Sequence, residues 1–315
     1  MEYRRLGDSG LVVSIVGLGC NTFGRMIDGD AACAVVDAAL DAGINFFDTA
    51  DIYGAGRGES EPMLGAALKG RRDDVVVASK FGMDMEGMNG PDFGARGSRR
   101  YVIRAVEASL RRLDLDHIDL YQMHEPDPGT PIEETLAALD DLVRAGKVRY
   151  LGNSNFAGWQ IADAAWTART RGRTPFISAQ NRYSVLTRAA EAEVIPACER
   201  FGLSLLPYFP LESGLLTGKY RRGQAAPAGT RMTTERYVPW LANAPWDAIE
   251  AVEAYARERG RSMLEVAIGG LLARPVVASV IAGATTPEQV RANVAAASWR
   301  PTSDDLAALS AIGST

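Results

Sequence analysis

Short apolar runs alternate with amphipathic segments along nearly the whole chain, and that order leaves few folds open. The runs occupy residues 13–16, 44–47, 75–78, 118–121, 148–151, 176–179, 203–206 and 276–281. Most are near-continuously apolar, as parallel strands are when helices cover their outer faces. Between them, apolar residues at i, i+3 and i+4 predict helices that include 31–42, 99–112, 132–144 and 247–258. Eight strand-then-helix units in strict order argue for an α/β architecture closed into a (β/α)8 barrel rather than an open sheet. Residues 3–6 and 11–13 flank Gly7-Asp8-Ser9-Gly10, turn chemistry that predicts an N-terminal β-hairpin plugging the barrel floor. All of residues 1–315 are expected in one barrel domain.

Two connections are too long for simple turns. Residues 82–97 carry five glycines and three methionines, and residues 211–245 carry Pro227, Pro239, Trp240 and Pro245. Both follow strand C-terminal ends, so they read as rim loops that bind ligand, with variable surface decoration as the plainer alternative.

The net charge of −5 disfavours nucleic acid and acidic membrane as partners, while leaving room for a local basic pocket. Cys20, Cys33 and Cys198 are odd in number and widely spaced, which points to a reducing compartment without a disulfide framework. No apolar signal segment or membrane-length run is present, so a cytoplasmic location is expected. Oligomeric state is not legible.

Asp48, Tyr53, Lys80 and His124 lie at or just past the ends of apolar runs. If those runs are parallel strands of one barrel, all four side chains converge on its C-terminal rim. Three of them have a plainer reading: Asp48 as a cap, Tyr53 as packing, His124 as a structural histidine. Together they form a proton-delivery device. An ammonium beside a phenol favours phenolate, so Lys80 is expected to lower the Tyr53 pKa toward working pH, with Asp48 holding Lys80 charged. The phenol could then donate a proton to a carbonyl oxygen or withdraw one from an alcohol. Lys80 could instead form a Schiff base, as aldolases built on barrels do.

Other motifs are weaker. Gly17-Leu18-Gly19 lacks the third glycine of a dinucleotide fingerprint, since Thr22 stands five positions after Gly17. Gln122, Glu125 and Asp127 around His124 invite a metal reading, but one rim histidine cannot build a multi-histidine site. No metal is expected. His117 reads as a surface turn residue.

The chain resembles the aldo-keto reductase family over essentially its whole length, and within it the bacterial members related to potassium-channel β subunits. The resemblance rests on Gly43-Ile44-Asn45-Phe46-Phe47-Asp48-Thr49-Ala50-Asp51-Ile52-Tyr53-Gly54, Ser79-Lys80-Phe81-Gly82 and the segment from Ile118 to His124. It continues through Gly152-Asn153-Ser154-Asn155-Phe156, Gln180-Asn181-Arg182-Tyr183-Ser184, Gly214-Leu215-Leu216-Thr217-Gly218-Lys219-Tyr220 and the segment from Ile281 to Gln289. The resemblance implies that Asp48, Tyr53, Lys80 and His124 are a catalytic tetrad in reduction of an aldehyde or ketone by NADPH.

By the same resemblance, Ser154, Asn155 and Gln180 hold the nicotinamide carboxamide and Tyr208 stacks on its ring. Pro210, Leu211, Gly214, Leu216 and Lys219 form a strap over the pyrophosphate, and Thr22 and Asp48 also contact the cofactor. Phe209 departs from a small polar residue common in the family. At the adenine end, Gly283, Thr285, Gln289 and Asn293 flank a helix that opens at Thr286-Pro287-Glu288-Gln289, a capping-box pattern. Residues 283–286 carry no lysine or arginine, which leaves NADH possible beside NADPH. An NAD-dependent dehydrogenase and a redox-sensing regulatory subunit with little turnover remain alternatives.

Overall fold

A computed structural model describes residues 1–235 and 237–312. Strands β1 (Tyr3–Arg5) and β2 (Val12–Ser14) form an antiparallel hairpin. Eight parallel strands follow: β3 (Val16–Gly19), β4 (Phe46–Asp48), β5 (Val76–Phe81), β6 (Ile118–Met123), β7 (Val148–Ser154), β8 (Phe176–Gln180), β9 (Ser204–Leu205) and β10 (Val280–Gly283). The helices among the described residues are α1 (Gly29–Asp41), α2 (Ser60–Ala67), α3 (Arg99–Leu113), α4 (Ile132–Arg144), α5 (Gly158–Arg171), α6 (Val194–Phe201), α7 (Val238–Ala242), α8 (Trp246–Glu258), α9 (Met263–Leu272), α10 (Pro287–Ala296) and α11 (Ser303–Ile312).

The sheet runs β10-β3-β4-β5-β6-β7-β8-β9 and closes by a seam ahead of β10. There Leu205 N–H donates to Val276 O at 2.8 Å and Ala278 N–H donates to Leu205 O at 3.2 Å. The (β/α)8 barrel expected from the alternation is the observed fold. Two strand boundaries differ. The first apolar run spans two elements: Val13 belongs to the hairpin, and the barrel strand begins at Val16. The last run, 276–281, holds an isolated bridge from Val277 to Leu205 and then the start of β10, which pairs with β3 and also donates from Ile281 N–H to Pro207 O at 3.1 Å. Periodicity alone does not separate two short strands that abut.

The hairpin closes the floor as expected. Leu6 and Val13 are fully buried and share a core with Phe46, Ala78, Leu120, Ile177 and Leu206 from inside the barrel. Asp8 N–H donates to Gly202 O at 2.8 Å, and Gly7 N–H donates to Ser204 Oγ at 2.8 Å. The larger core lies between the outer strand faces and the helices, with Val77, Tyr121 and Leu151 meeting Val36, Val106 and Leu139. Helix starts follow local chemistry: Asp28 caps α1, Ser98 caps α3, and Ser262 with Glu265 forms a reciprocal box at α9.

The long rim connections are present, one with more structure than expected. Residues 82–97 have no regular element. Within 211–245, by contrast, tight helical turns form at Glu212–Thr217 and Arg231–Thr233, followed by α7. Leu215, Leu216, Tyr220, Met232 and Tyr237 bury themselves against α8 and α9, a core that the loop-like composition conceals.

Gly7 has φ +57°, and a Cβ there would strike the carbonyl oxygens of Ile177 and Gly202. A left-handed backbone costs a residue with a Cβ about 1–2 kcal/mol before any clash. Gly7→Ala should therefore lower unfolding stability by more than about 2 kcal/mol, read as a shift in urea midpoint. A loss near zero would show that the hairpin does not seal the floor.

Candidate active site at the barrel rim

β4 ends on Asp48, Lys80 stands one residue before the end of β5, and His124 directly follows β6. Tyr53 lies on the loop between β4 and α2. The parallel register sets Asp48 beside Ala78, Lys80 beside Gln122, and Ser154 beside Gln180. Alternation along each strand then turns Lys80, Gln122 and Gln180 to the inner face. All four residues expected on the rim meet there.

Lys80 is the centre. It is fully buried, and its ammonium donates to Asp48 Oδ2 at 2.6 Å, Thr49 O at 2.9 Å and the Tyr53 hydroxyl at 3.2 Å. An ammonium has three donors, and all three are used. The other carboxylate oxygen of Asp48 accepts from Gln180 Nε2 at 2.9 Å and Gln122 Nε2 at 3.1 Å. The His124 ring stands edge-on to Tyr53 with centroids 5.8 Å apart.

Electrostatics correct one expectation. Burial is the largest influence on Tyr53 and raises its pKa; Lys80 pulls it down without prevailing, so the phenol titrates above its ordinary value. It stays protonated at neutral pH, ready to donate. Burial acts to discharge Lys80, but the attraction of Asp48 and Tyr53 outweighs it, and the ammonium pKa is raised. A charged, fully hydrogen-bonded ammonium has no lone pair for a Schiff base. Burial, then the Lys80 charge, holds His124 well below the usual imidazole range, so it is neutral.

Tyr53 and His124 open onto a cleft of about 860 Å³. Thr22, Asp48, Ser154, Asn155, Gln180, Tyr208, Pro210, Leu211, Gly214, Lys219, Gly283, Thr285, Gln289 and Asn293 all line it. Leu216 does not: its side chain is fully buried against the second core, because the turn at Glu212–Thr217 points it inward. Asn155 has φ +60° and is held on three sides, donating to His124 O at 2.9 Å and Ser154 Oγ at 3.2 Å and accepting from the Tyr208 hydroxyl at 2.8 Å. Phe209 packs edge-on against Trp240 of α7 at 6.0 Å, joining the strap to the long loop.

Several contributors were not foreseen. Gln122 steadies Asp48, and its place near the end of β6, two residues before His124, was the available signal. Arg25, Arg57, Arg231 and Tyr237 also line the cleft. Arg25 donates to the Tyr237 hydroxyl at 3.1 Å, and Arg231 stands 5.5 Å over the same ring. Irregular loops carry no periodicity that could bring these together.

These features suit a long anionic cofactor. Among the described lining residues Asp48 is the one acid, and Lys80 neutralises it, whereas Arg25, Arg57, Lys219 and Arg231 are cationic. Among the described residues, the buried Ser213 hydroxyl in the strap has no partner. Thr286 caps α10 beside Thr285 and Gln289, which hydrogen-bond each other.

The sequence profile of the Aldo/keto reductase family matches residues 15–314. The chain belongs to that family. Its similarity extends to an uncharacterized oxidoreductase, YrpG, of Bacillus subtilis (strain 168), at 41% identity over 94% of this chain and 91% of that protein. A probable voltage-gated potassium channel subunit beta of Oryza sativa subsp. japonica is 36% identical over 94% of this chain and 91% of its own. L-glyceraldehyde 3-phosphate reductase of Escherichia coli (strain K12) is 32% identical over 94% of this chain and 87% of its own. This aldo/keto reductase is therefore an oxidoreductase by kinship, and among its described residues no helix is long and apolar enough to cross a membrane.

The neutral state of His124 carries a stability signature. Its folded pKa is depressed, so as pH falls below about 6.5 the unfolded chain takes a proton that the folded protein refuses. Stability is complete above that value and falls below it by up to about 1.4 kcal/mol per pH unit. Compared with His124→Asn, the parent protein should lose more unfolding free energy between about pH 7.5 and pH 5. Parallel pH dependence in the two would mean that His124 takes up its proton within the fold.

Proposed function

We propose that this protein reduces an aldehyde or ketone to an alcohol using NADPH, with Tyr53 as the general acid. The observation that carries the reading is the buried Lys80 ammonium, saturated by Asp48, Thr49 and Tyr53, behind a phenol that opens onto the cleft. Ser154, Asn155, Gln180 and Tyr208, which line the cleft beside Tyr53, would hold a nicotinamide, and that group when bound would supply the hydride. Tyr53 gives its proton to the carbonyl oxygen as negative charge grows there, and Lys80 stabilises the phenolate left behind. Asp48 keeps Lys80 charged, and Gln122 and Gln180 keep Asp48 in place. Neutral His124 orients the carbonyl oxygen toward Tyr53. Charge stabilisation by groups already fixed in position is the largest source of rate, and proximity is the second.

Pro210, Leu211, Gly214 and Lys219 would hold the pyrophosphate, with Arg231 adding charge from the long loop. Thr285, Gln289, Asn293 and the N-terminus of α10 would meet the adenosine end. Arg221 and Arg222 take no part, since they pair with Glu253, Glu250 and Asp247. Relatives are named for an aldose phosphate and for versiconal hemiacetal acetate, so carbonyl-level substrates of very different size occur in the family. We place this protein in the cytoplasm as a single barrel domain acting on a small carbonyl compound. Two plant relatives are named as probable voltage-gated potassium channel beta subunits, and a second reading is therefore a regulatory subunit that binds nucleotide with little turnover. Firm NADPH binding without reduction across a broad aldehyde panel would favour it.

Tyr53→Phe keeps the ring and removes the proton donor. Turnover should fall by roughly 10²–10⁴ while NADPH affinity is unchanged, as followed by loss of reduced-nicotinamide absorbance. A variant retaining a tenth of the activity would exclude Tyr53 as the acid. In Lys80→Met the cation that lowers the phenol pKa is gone, so the alkaline fall in kcat/KM of residual activity should move to higher pH.

With no lysine or arginine in residues 283–286, the 2′-phosphate relies on a helix end worth about 0.3–2 kcal/mol and on the loop cations. The ratio of kcat/KM for NADPH over NADH should be modest, on the order of 10- to 100-fold, and should shrink with salt. Thr286→Arg should raise it. A preference for NADH would make the protein an NAD-dependent dehydrogenase.

A further inference from the structure

Behind the tetrad lies a second buried network. Asp51 stands three residues after Asp48 and two before Tyr53, and it is fully buried. Its backbone N–H donates to Lys80 O at 3.2 Å. Asn89, nearly fully buried in loop 82–97, donates its amide to Asp51 Oδ2 at 2.8 Å. Asn89 Oδ1 accepts from Arg112 of α3 at 3.0 Å, and Arg112 Nε donates to Glu61 of α2 at 2.6 Å. Fully buried Glu61 also accepts from Ser79, the neighbour of Lys80 on β5, at 2.5 Å. The chain of contacts thus begins beside Tyr53 and ends beside Lys80, passing through the rim loop.

Two carboxyl groups here face one guanidinium. Burying an uncompensated charge is expensive, so one carboxyl must take a proton or find another partner. Glu61 holds Arg112 and Ser79. Asp51 holds an amide on one oxygen, while its Oδ1 is buried without a partner among the described residues. Asp51 is the member that stays neutral: burial, then the Glu61 charge, pushes its pKa well above the usual carboxylate range against the opposing pull of Arg112. A neutral carboxyl and a primary amide have nearly the same shape and the same donor-plus-acceptor character.

We infer that Asp51, clamped by Asn89 and tied through its backbone to Lys80, is a positioning residue that fixes the Tyr53 hydroxyl against Lys80 and makes this alignment depend on the seating of loop 82–97. Asp51 is not among the residues that line the cleft. The inference rests on Tyr53 being the acid, and the distance it governs is the 3.2 Å contact from Lys80 to Tyr53. That contact is the longest of the three the ammonium makes, and so the easiest to lose.

The test is steady-state kinetics with pH profiles on Asp51→Asn, Asp51→Ala and Asn89→Ala, with Tyr53→Phe as control. Asp51→Asn should keep kcat within about twofold, because the amide replaces a neutral acid. Asp51→Ala and Asn89→Ala should each lower kcat about tenfold or more at unchanged KM for the aldehyde and unchanged NADPH affinity. Their alkaline limb should move to higher pH as Tyr53 drifts from its cation. The double variant Asp51→Ala/Asn89→Ala should be no worse than either single one. If Asp51→Ala does not fold, Asn89→Ala carries the decision. A parental kcat and alkaline limb in Asn89→Ala would overturn the inference, as would an Asp51→Asn as slow as Asp51→Ala. Full activity in Tyr53→Phe would instead remove the acid assignment beneath it.

Discussion

The burial of one lysine ammonium organises this rim. Taking a charge out of water costs several kcal/mol unless it is paired and fully hydrogen-bonded, and Lys80 meets that demand with Asp48, Thr49 and Tyr53. Each partner is then constrained in turn. Asp48 has to stay at the end of β4, with two glutamines on its second oxygen. The Thr49 carbonyl has to point inward, so residues 48–53 turn tightly over the top of β5. Tyr53 must reach back. The geometry that makes a proton donor is the geometry that makes the buried charge tolerable.

Burial also chooses the direction in which the site is poised. A cation near a phenol is usually invoked to explain how a tyrosine loses its proton, yet here desolvation prevails and the phenol keeps it. His124, by the same desolvation, stays uncharged and does not compete as an acid. Three titratable groups within one small volume are thus held in distinct states by a shared lack of water. Lys80 alone among them is charged, because it alone has a carboxylate partner.

Much of this was legible in the sequence, for a physical reason. Strands buried on both faces must be apolar throughout, so their ends stand out, and chemistry-bearing residues at those ends fall on one rim whatever the details. That logic placed Asp48, Tyr53, Lys80 and His124, and the resemblance to relatives placed most of the cleft wall. It failed where periodicity is silent. The abutting strands near Ser14, and the isolated bridge and strand on either side of Ser279, read as single runs. Leu216 turned inward because a turn of irregular backbone set its direction. Arg25, Arg231 and Tyr237 gather from loops separated by two hundred residues, and nothing local records their meeting. The sign of the Tyr53 shift also needed the structure, since a sequence names neighbours without saying how much water lies between them.

The pairing of β3 with β10 has a consequence for the chain as it is made. Val16–Gly19 emerges from the ribosome long before one of its two neighbours, Val280–Gly283. Until then the apolar edge of β3 offers unpaired backbone groups to any passing strand. The seam at Leu205 forms equally late, through only a few hydrogen bonds. A nascent chain truncated before residue 276 would be an open, curled sheet with two bare edges, and chaperone dependence during synthesis would come from those edges rather than from the core.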